Sequence, residues 1–163
     1  MTAPDDSTRD ASPVATPGNE DGTTNRVLGR FEMMIERGKI REFARATGAT
    51  HSAYFNDERP PIPPTFLASA ALWQPPDVPR PYQALGMDLR RVLHGEQEYR
   101  FYGSMPRAGD RLVVEIRVES VNEKDGRRGG TMRLARIVSD FTDETGRLVA
   151  QAWSTTIETG ASA

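Results

Sequence analysis

The sequence predicts an α+β domain in which one antiparallel sheet packs against a helix, and three observations predict it. From Arg111 to Glu119 apolar and charged residues alternate: Leu112, Val114, Ile116 and Val118 against Arg111, Glu115, Arg117 and Glu119. A period of two is that of a half-buried strand. Ile40, Phe43, Ala44 and Thr47 instead fall at i, i+3, i+4 and i+7, one face of a helix. Strand signals then crowd the last third of the chain behind that helix, the order of a helix laid on one face of a sheet.

The elements follow in chain order. Residues 1–26 carry Asp5, Asp6, Asp10, Glu20 and Asp21 against Arg9 and Arg26, with Val14 as the single branched aliphatic residue and no aromatic one. Such a segment buries too little apolar surface to offset the entropy of ordering it, so disorder is expected. Phe31 to Ile35 opens the domain as a short apolar segment. The helix comes next, with Arg37, Lys39, Arg41 and Arg45 away from its apolar face, and Gly48 is placed to end it in a left-handed conformation. Residues 49–64 read as loop. Within Arg59 to Pro64 four prolines fix φ and remove backbone donors, which excludes helix and central strand. Thr65 to Trp73 is apolar and fits helix or strand alike, and Pro75 to Pro81 is a second loop.

Gln97, Tyr99 and Phe101 alternate with Glu96, Glu98 and Arg100 as on a half-buried strand. The strand from Arg111 follows, Asp125-Gly126 marks a tight reversal, and Met132 to Phe141 forms a less regular strand. Asp143 to Gly146 turns the chain into a last strand, Leu148 to Ile157. These strands are expected to form a meander. The domain thus spans 27–158, and 159–163 should fray.

Composition sets the outer limits. A chain of 163 residues suits one domain. A net charge of -2 gives no electrostatic case for nucleic acid. The absence of Cys rules out disulfides and thiolate metal sites, and His51 and His94 are too few for a His-rich one. No apolar run is long enough to span a bilayer, and residues 1–26 lack the order of a signal peptide, so a cytoplasmic protein is expected.

Four short motifs, Gly38-Lys39-Ile40-Arg41-Glu42-Phe43-Ala44, Pro63-Pro64-Thr65-Phe66, Leu93-His94-Gly95-Glu96-Gln97-Glu98-Tyr99 and Arg107-Ala108-Gly109-Asp110, stand in this order. Together they resemble the N-terminal dehydratase domains related to MaoC, over about residues 27–158. The resemblance implies a single hot-dog domain, an antiparallel sheet wrapped on a helix. It also implies the chemistry of 3-hydroxyacyl-thioester dehydratases, which in the reverse direction are enoyl-thioester hydratases and need neither metal nor redox cofactor. The mycobacterial (3R)-hydroxyacyl-ACP dehydratase subunits that pair with a catalytic subunit are similar.

MaoC-like enzymes carry a Gly-Asp-x-Asn-Pro-x-His-x-Asp pattern after a short helix. Laid on Gly48 to Asn56, that pattern puts Ala49 where the family has its Asp and Tyr54 where it has its His. Alanine moves no proton, and an unperturbed tyrosine titrates near pH ~10, so no catalytic residue is expected here. The resemblance therefore implies a substrate-binding and structural subunit, partnered by a catalytic MaoC-like hydratase chain. It implies an acyl-CoA or acyl-ACP ligand and substrate contacts from Tyr54, Phe55, Pro64, Thr65, Phe66 and His94. Two alternatives stay open. One is a self-sufficient hydratase with a shifted pair, His94 or His51 with Asp57. The other is a hot-dog thioesterase or acyl-thioester binder, for which Asp57 and Glu58 are the candidate carboxylates. Each of these residues also has a structural reading: His94 as a hydrogen-bonding strand residue, Tyr54 and Phe55 as loop anchors, Asp57 and Glu58 as solvated acids, and Pro63 to Phe66 as a rigid turn.

Deleting residues 1–24 should leave the melting temperature nearly unchanged, because that segment has almost no apolar side chain to bury. A large drop in a thermal melt would show instead that it packs on the domain.

Overall fold

The computed structural model describes residues 23–126 and 130–160. The expected disorder of 1–22 and fraying of 161–163 lie outside the described residues, as does the tip of the reversal after Asp125-Gly126. The elements are β1 (Val27–Met34), α1 (Arg37–Ala46), α2 (Ala53–Asn56), a 3₁₀ segment Phe66–Leu72, α3 (Pro81–Ala84), a 3₁₀ turn Leu89–Arg91, β2 (Val92–Phe101), β3 (Arg111–Asp125), β4 (Thr131–Thr142) and β5 (Leu148–Glu158).

The strands form one antiparallel five-stranded sheet in the order β1-β3-β4-β5-β2. β3, β4 and β5 make the predicted meander, but β2 does not belong to it. Both edges of β3 are occupied, by β1 and β4, so β2 lies across the sheet against β5, with Tyr99 opposite Ala152. Residues 23–26 are not separate from the domain. Asn25 N–H donates to Val118 O at 2.7 Å and Val118 N–H to Arg26 O at 2.9 Å, so pairing with β3 begins upstream of residue 27. At the other end Thr159 N–H donates to Arg91 O at 2.9 Å, one residue past the expected boundary.

Two expectations for the segment between β1 and β2 change. Residues 49–64 are not all loop, because 53–56 close one helical turn, too short to carry a periodic signal. Thr65 to Trp73 resolves as 3₁₀ helix, with Phe66 and Leu67 buried and Leu72 outside.

The core lies between the inward face of the sheet and this crossing segment. Leu112, Val114, Ile116 and Val118 of β3 point inward, as their alternation predicts, and share one core cluster with Ile40 of α1, Ile62, Phe66 and Met87. Phe43 stacks edge-on against Phe66 at 5.4 Å between centroids. Burying a side chain of this size contributes roughly 2–3 kcal/mol. The end of the crossing is fixed by Glu158, the buried carboxylate of β5. It accepts from Asp88 N–H at 2.8 Å, from Arg91 at 2.7 Å and from Arg133 at 3.3 Å. Three donors offset the cost of burying that charge. Beside it, hydrogen bonds from the Arg90 side chain and backbone hold the Asp88 carboxyl down at about 2, from an ordinary 3.8. Its contribution is therefore present above the ordinary value and is lost as the pH falls through about 2.

The Pro75–Pro79 stretch packs on β1 where Gly29 leaves room. A Cβ at Gly29 would lie 2.2 Å from Val78 Cγ1, whereas one at Gly38 in α1 meets nothing within 4 Å. Gly29→Ala should therefore destabilise the fold by about 1–3 kcal/mol. Gly38→Ala should stabilise it by about 0.5 kcal/mol. Urea unfolding of the two variants checks this, and an unchanged midpoint for Gly29→Ala would show that Val78 is not seated against β1.

Candidate functional site

The sequence places its strongest functional signal just after α1, and the structure shows how that loop is made. Gly48 adopts φ +68°, which suits glycine, and reverses the chain. Gly48 N–H donates to Arg45 O at 3.2 Å and Ala49 N–H to Ala44 O at 2.8 Å, the paired bonds of a Schellman helix end. The Thr47 hydroxyl adds a bond to Phe43 O at 2.9 Å. Ala49 is half-buried directly beyond the last carbonyls of the helix.

The second half of the loop is α2. His51, one residue before the N-cap Ser52, binds its first turn: Nδ1 accepts from Ala53 N–H at 3.2 Å, and His51 O accepts from Tyr54 N–H at 3.1 Å. The His51 and Tyr54 rings lie 5.7 Å apart and tilted. Arg41 of α1 donates to Phe55 O and ties the turn back to the helix. Tyr54 and Phe55 are half-buried, whereas His51, Asp57 and Glu58 are exposed.

The structure does not bring the remaining site candidates to this loop. His94 is exposed on β2, opposite Thr156, with no partner for its ring among the described residues. No hydrogen bond or ion pair joins His94 or His51 to Asp57 among those residues. Pro64 and Thr65 are exposed. Phe66 is fully buried in the core and also forms part of a groove of about 200 Å³ with Phe43, Leu72 and Trp73.

A second cavity, of about 180 Å³, lies between the sheet and the crossing segment. Leu67, Ala70 and Ala71 of the 3₁₀ segment form one wall. Phe31, Val114, Ile116, Ile137, Phe141 and Ala152 form the apolar floor, with Ser139, Ser154, Gln97 and Tyr99 set among them. Gln74 and Arg80 close one side, Arg80 Nη1 donating to Gln74 Oε1 at 3.0 Å. The sequence reading missed Arg80, Tyr99, Ser139 and Ser154 as site residues. Their signal was faint: Ser139 follows Ala135 and Ile137 and precedes Phe141 on one face of β4, and Ser154 follows Ala150 and Ala152 on one face of β5. Burial pushes the Tyr99 phenol up, so it stays protonated at neutral pH. A wider cleft of about 430 Å³ lies beside Arg107 and Asp143, with Arg59 paired to Asp110 at 2.6 Å and Arg147 to Asp143 at 3.1 Å on its rim. No helix among the described residues is long and apolar enough to cross a membrane.

The sequence profile of the FAS1-like, dehydratase domain region matches residues 23–152. A UPF0336 protein of Streptomyces griseus is 39% identical over 126 residues, covering 72% of this chain and 79% of that protein. A UPF0336 protein of Mycobacterium leprae is 30% identical over 136 residues, covering 78% and 76%. Among solved structures, the C-terminally truncated HadBC (3R-hydroxyacyl-ACP dehydratase) complex of Mycobacterium tuberculosis superposes with a TM-score of 0.62 at 23% identity, over 83% of this chain and 96% of the other. The Mycobacterium tuberculosis ChsH1-ChsH2 complex superposes with a TM-score of 0.57 at 15% identity, over 85% and 99%. At these identities the structural matches carry the shared fold, a hot-dog.

Proposed function

This chain belongs to the family of FAS1-like dehydratase domains, and we propose on that footing that it is the acyl-binding, non-catalytic subunit of a heteromeric 3-hydroxyacyl-thioester dehydratase. The observation that carries the proposal is the loop after α1, with Ala49 and Tyr54 at the positions where the family pattern has Asp and His. Moving a proton at neutral pH needs a group that titrates there and a partner to orient it. Ala49 offers no such group, and the one imidazole in the loop, His51, spends Nδ1 on Ala53 N–H. The shifted-pair enzyme gains no support, because neither histidine is bonded to Asp57 among the described residues.

In this reading the partner supplies the Asp and His: one takes the proton alpha to the thioester carbonyl, and the other delivers a proton to the C3 hydroxyl, which leaves as water. This chain supplies a wall for the acyl group, formed by Leu67, Ala70 and Ala71 over the sheet. It also supplies a docking edge. Among the described residues β2 pairs only with β5, which leaves its other edge open among them, and Leu93 of this strand is 57% exposed. An open edge strand bearing an exposed apolar side chain is a site for strand pairing with another chain. The two-chain complexes named for the HadBC and ChsH1-ChsH2 structures support a partner of the same fold.

The purified chain alone should give no measurable hydration of crotonyl-CoA. Co-expression with a MaoC-like chain that keeps both Asp and His should give a stable heteromer by light scattering, with activity. Turnover by the isolated chain that is lost in His51→Ala or His94→Ala would overturn the proposal in favour of the shifted-pair enzyme. A monodisperse monomer that does not bind the partner would remove the subunit role.

A further inference from the structure

The cavity beneath the 3₁₀ segment is not lined as a plain hydrocarbon slot. Ser139 lies in register with Ala152, which pairs with Tyr99, and Ser154 lies between Ile137 and Gln97, so each of two rows across β4, β5 and β2 sets two polar side chains beside an apolar one. The hydroxyls of Tyr99, Ser139 and Ser154 have no hydrogen-bond partner among the described residues. None of them is sealed from solvent either, so each remains open to a ligand. Among the described residues Arg80 is the only charged one lining the cavity. Its guanidinium is held by Gln74 through Nη1 alone, with no carboxylate in ion-pair reach among the described residues. Gln74 is itself fixed, donating to Val78 O at 2.9 Å and Pro79 O at 3.0 Å, so Arg80 is presented on a rigid clasp.

An apolar floor, free hydroxyls and one unpaired cation on the rim together match a ligand with two different ends. We propose that this cavity binds a flexible apolar chain ending in a carboxylate, with Arg80 as the counter-ion and Tyr99 as a further donor. The inference rests on the reading of the cavity as the acyl site, and it narrows the acyl class. The carboxylate belongs either to a free fatty acid or to the far end of a half-diacid acyl thioester.

Calorimetric titration of the full chain at neutral pH with octanoate, octan-1-ol and monomethyl octanedioate tests it. Octanoate should bind about tenfold or more tightly than octan-1-ol, the scale of a hydrogen bond to a charged group. Arg80→Gln removes the charge but keeps a donor for Gln74, and it should level the two affinities while octan-1-ol still binds. Arg80→Lys should keep part of the preference. Monomethyl octanedioate binding as well as octanoate assigns the carboxylate to the far end of an acyl ester, and failure of the monoester alone assigns it to a free fatty acid. Equal affinities for octanoate and octan-1-ol in the unmodified chain would overturn the role of Arg80 and leave the acyl cavity standing. A preference that survives Arg80→Gln would overturn it as well. Binding of none of the three would overturn both.

Discussion

β1 and β2 follow one another in the chain yet lie on opposite edges of the sheet, so residues 35–91 have to cross its inward face. That crossing is the constraint on which the rest of the domain depends. The inward face is a row of Leu112, Val114, Ile116, Val118, Ile137 and Phe141 that water would otherwise cover, and the crossing segment brings Ile40, Ile62, Phe66 and Met87 down onto it. The segment is anchored at both ends. Ile35 N–H donates to Asp110 O at 2.9 Å as the chain leaves β1, and Glu158 gathers Asp88, Arg91 and Arg133 where it enters β2. Between the anchors the prolines and the 3₁₀ segment bridge the sheet without filling it, and the cavity is the space left beneath.

The same crossing explains why the loop after α1 is a sensitive place. Ala49 sits immediately past the C-terminus of a helix, where the unpaired carbonyls leave a partial negative charge. A carboxylate there is disfavoured by about 0.3–1 kcal/mol. An enzyme that uses the group as part of a proton relay retains it against that cost. Alanine gives the Schellman end without the repulsion, which is in keeping with the subunit role proposed above. Tyr54 fits the same account, since its ring packs beside the imidazole of His51.

Much of the fold is legible in the sequence because burial imposes a period. β3 and α1 show theirs cleanly, and Gly48 announces the helix end by residue type. The edge position of β2 is not legible, because alternation tells which face of a strand is buried and not which strand lies beside it. α2 is hidden because four residues carry no period. β4 reads as irregular for a reason visible only in the structure: Val138 is fully buried on the outer face between Arg117 and Trp153, while Ser139 faces inward into the cavity. The candidate site divides in the same way. The loop after α1 stands out only against the pattern that the resemblance supplies, but Arg80 and Tyr99 reach one cavity from segments that only the folded chain brings together.

The account holds that this chain shapes and binds while its partner moves protons, and Tyr54 is where that claim is most exposed. The direct measurement is the pH profile of kcat for the reconstituted heteromer carrying Tyr54→Phe, which removes the phenolic proton and keeps the ring. The account predicts an unchanged profile and a kcat within about twofold of the unmodified complex, because a phenol outside the proton path contributes nothing to the chemical step. A loss of about a hundredfold in kcat, the scale of a missing general acid or base, would contradict it and place Tyr54 in the catalytic machinery.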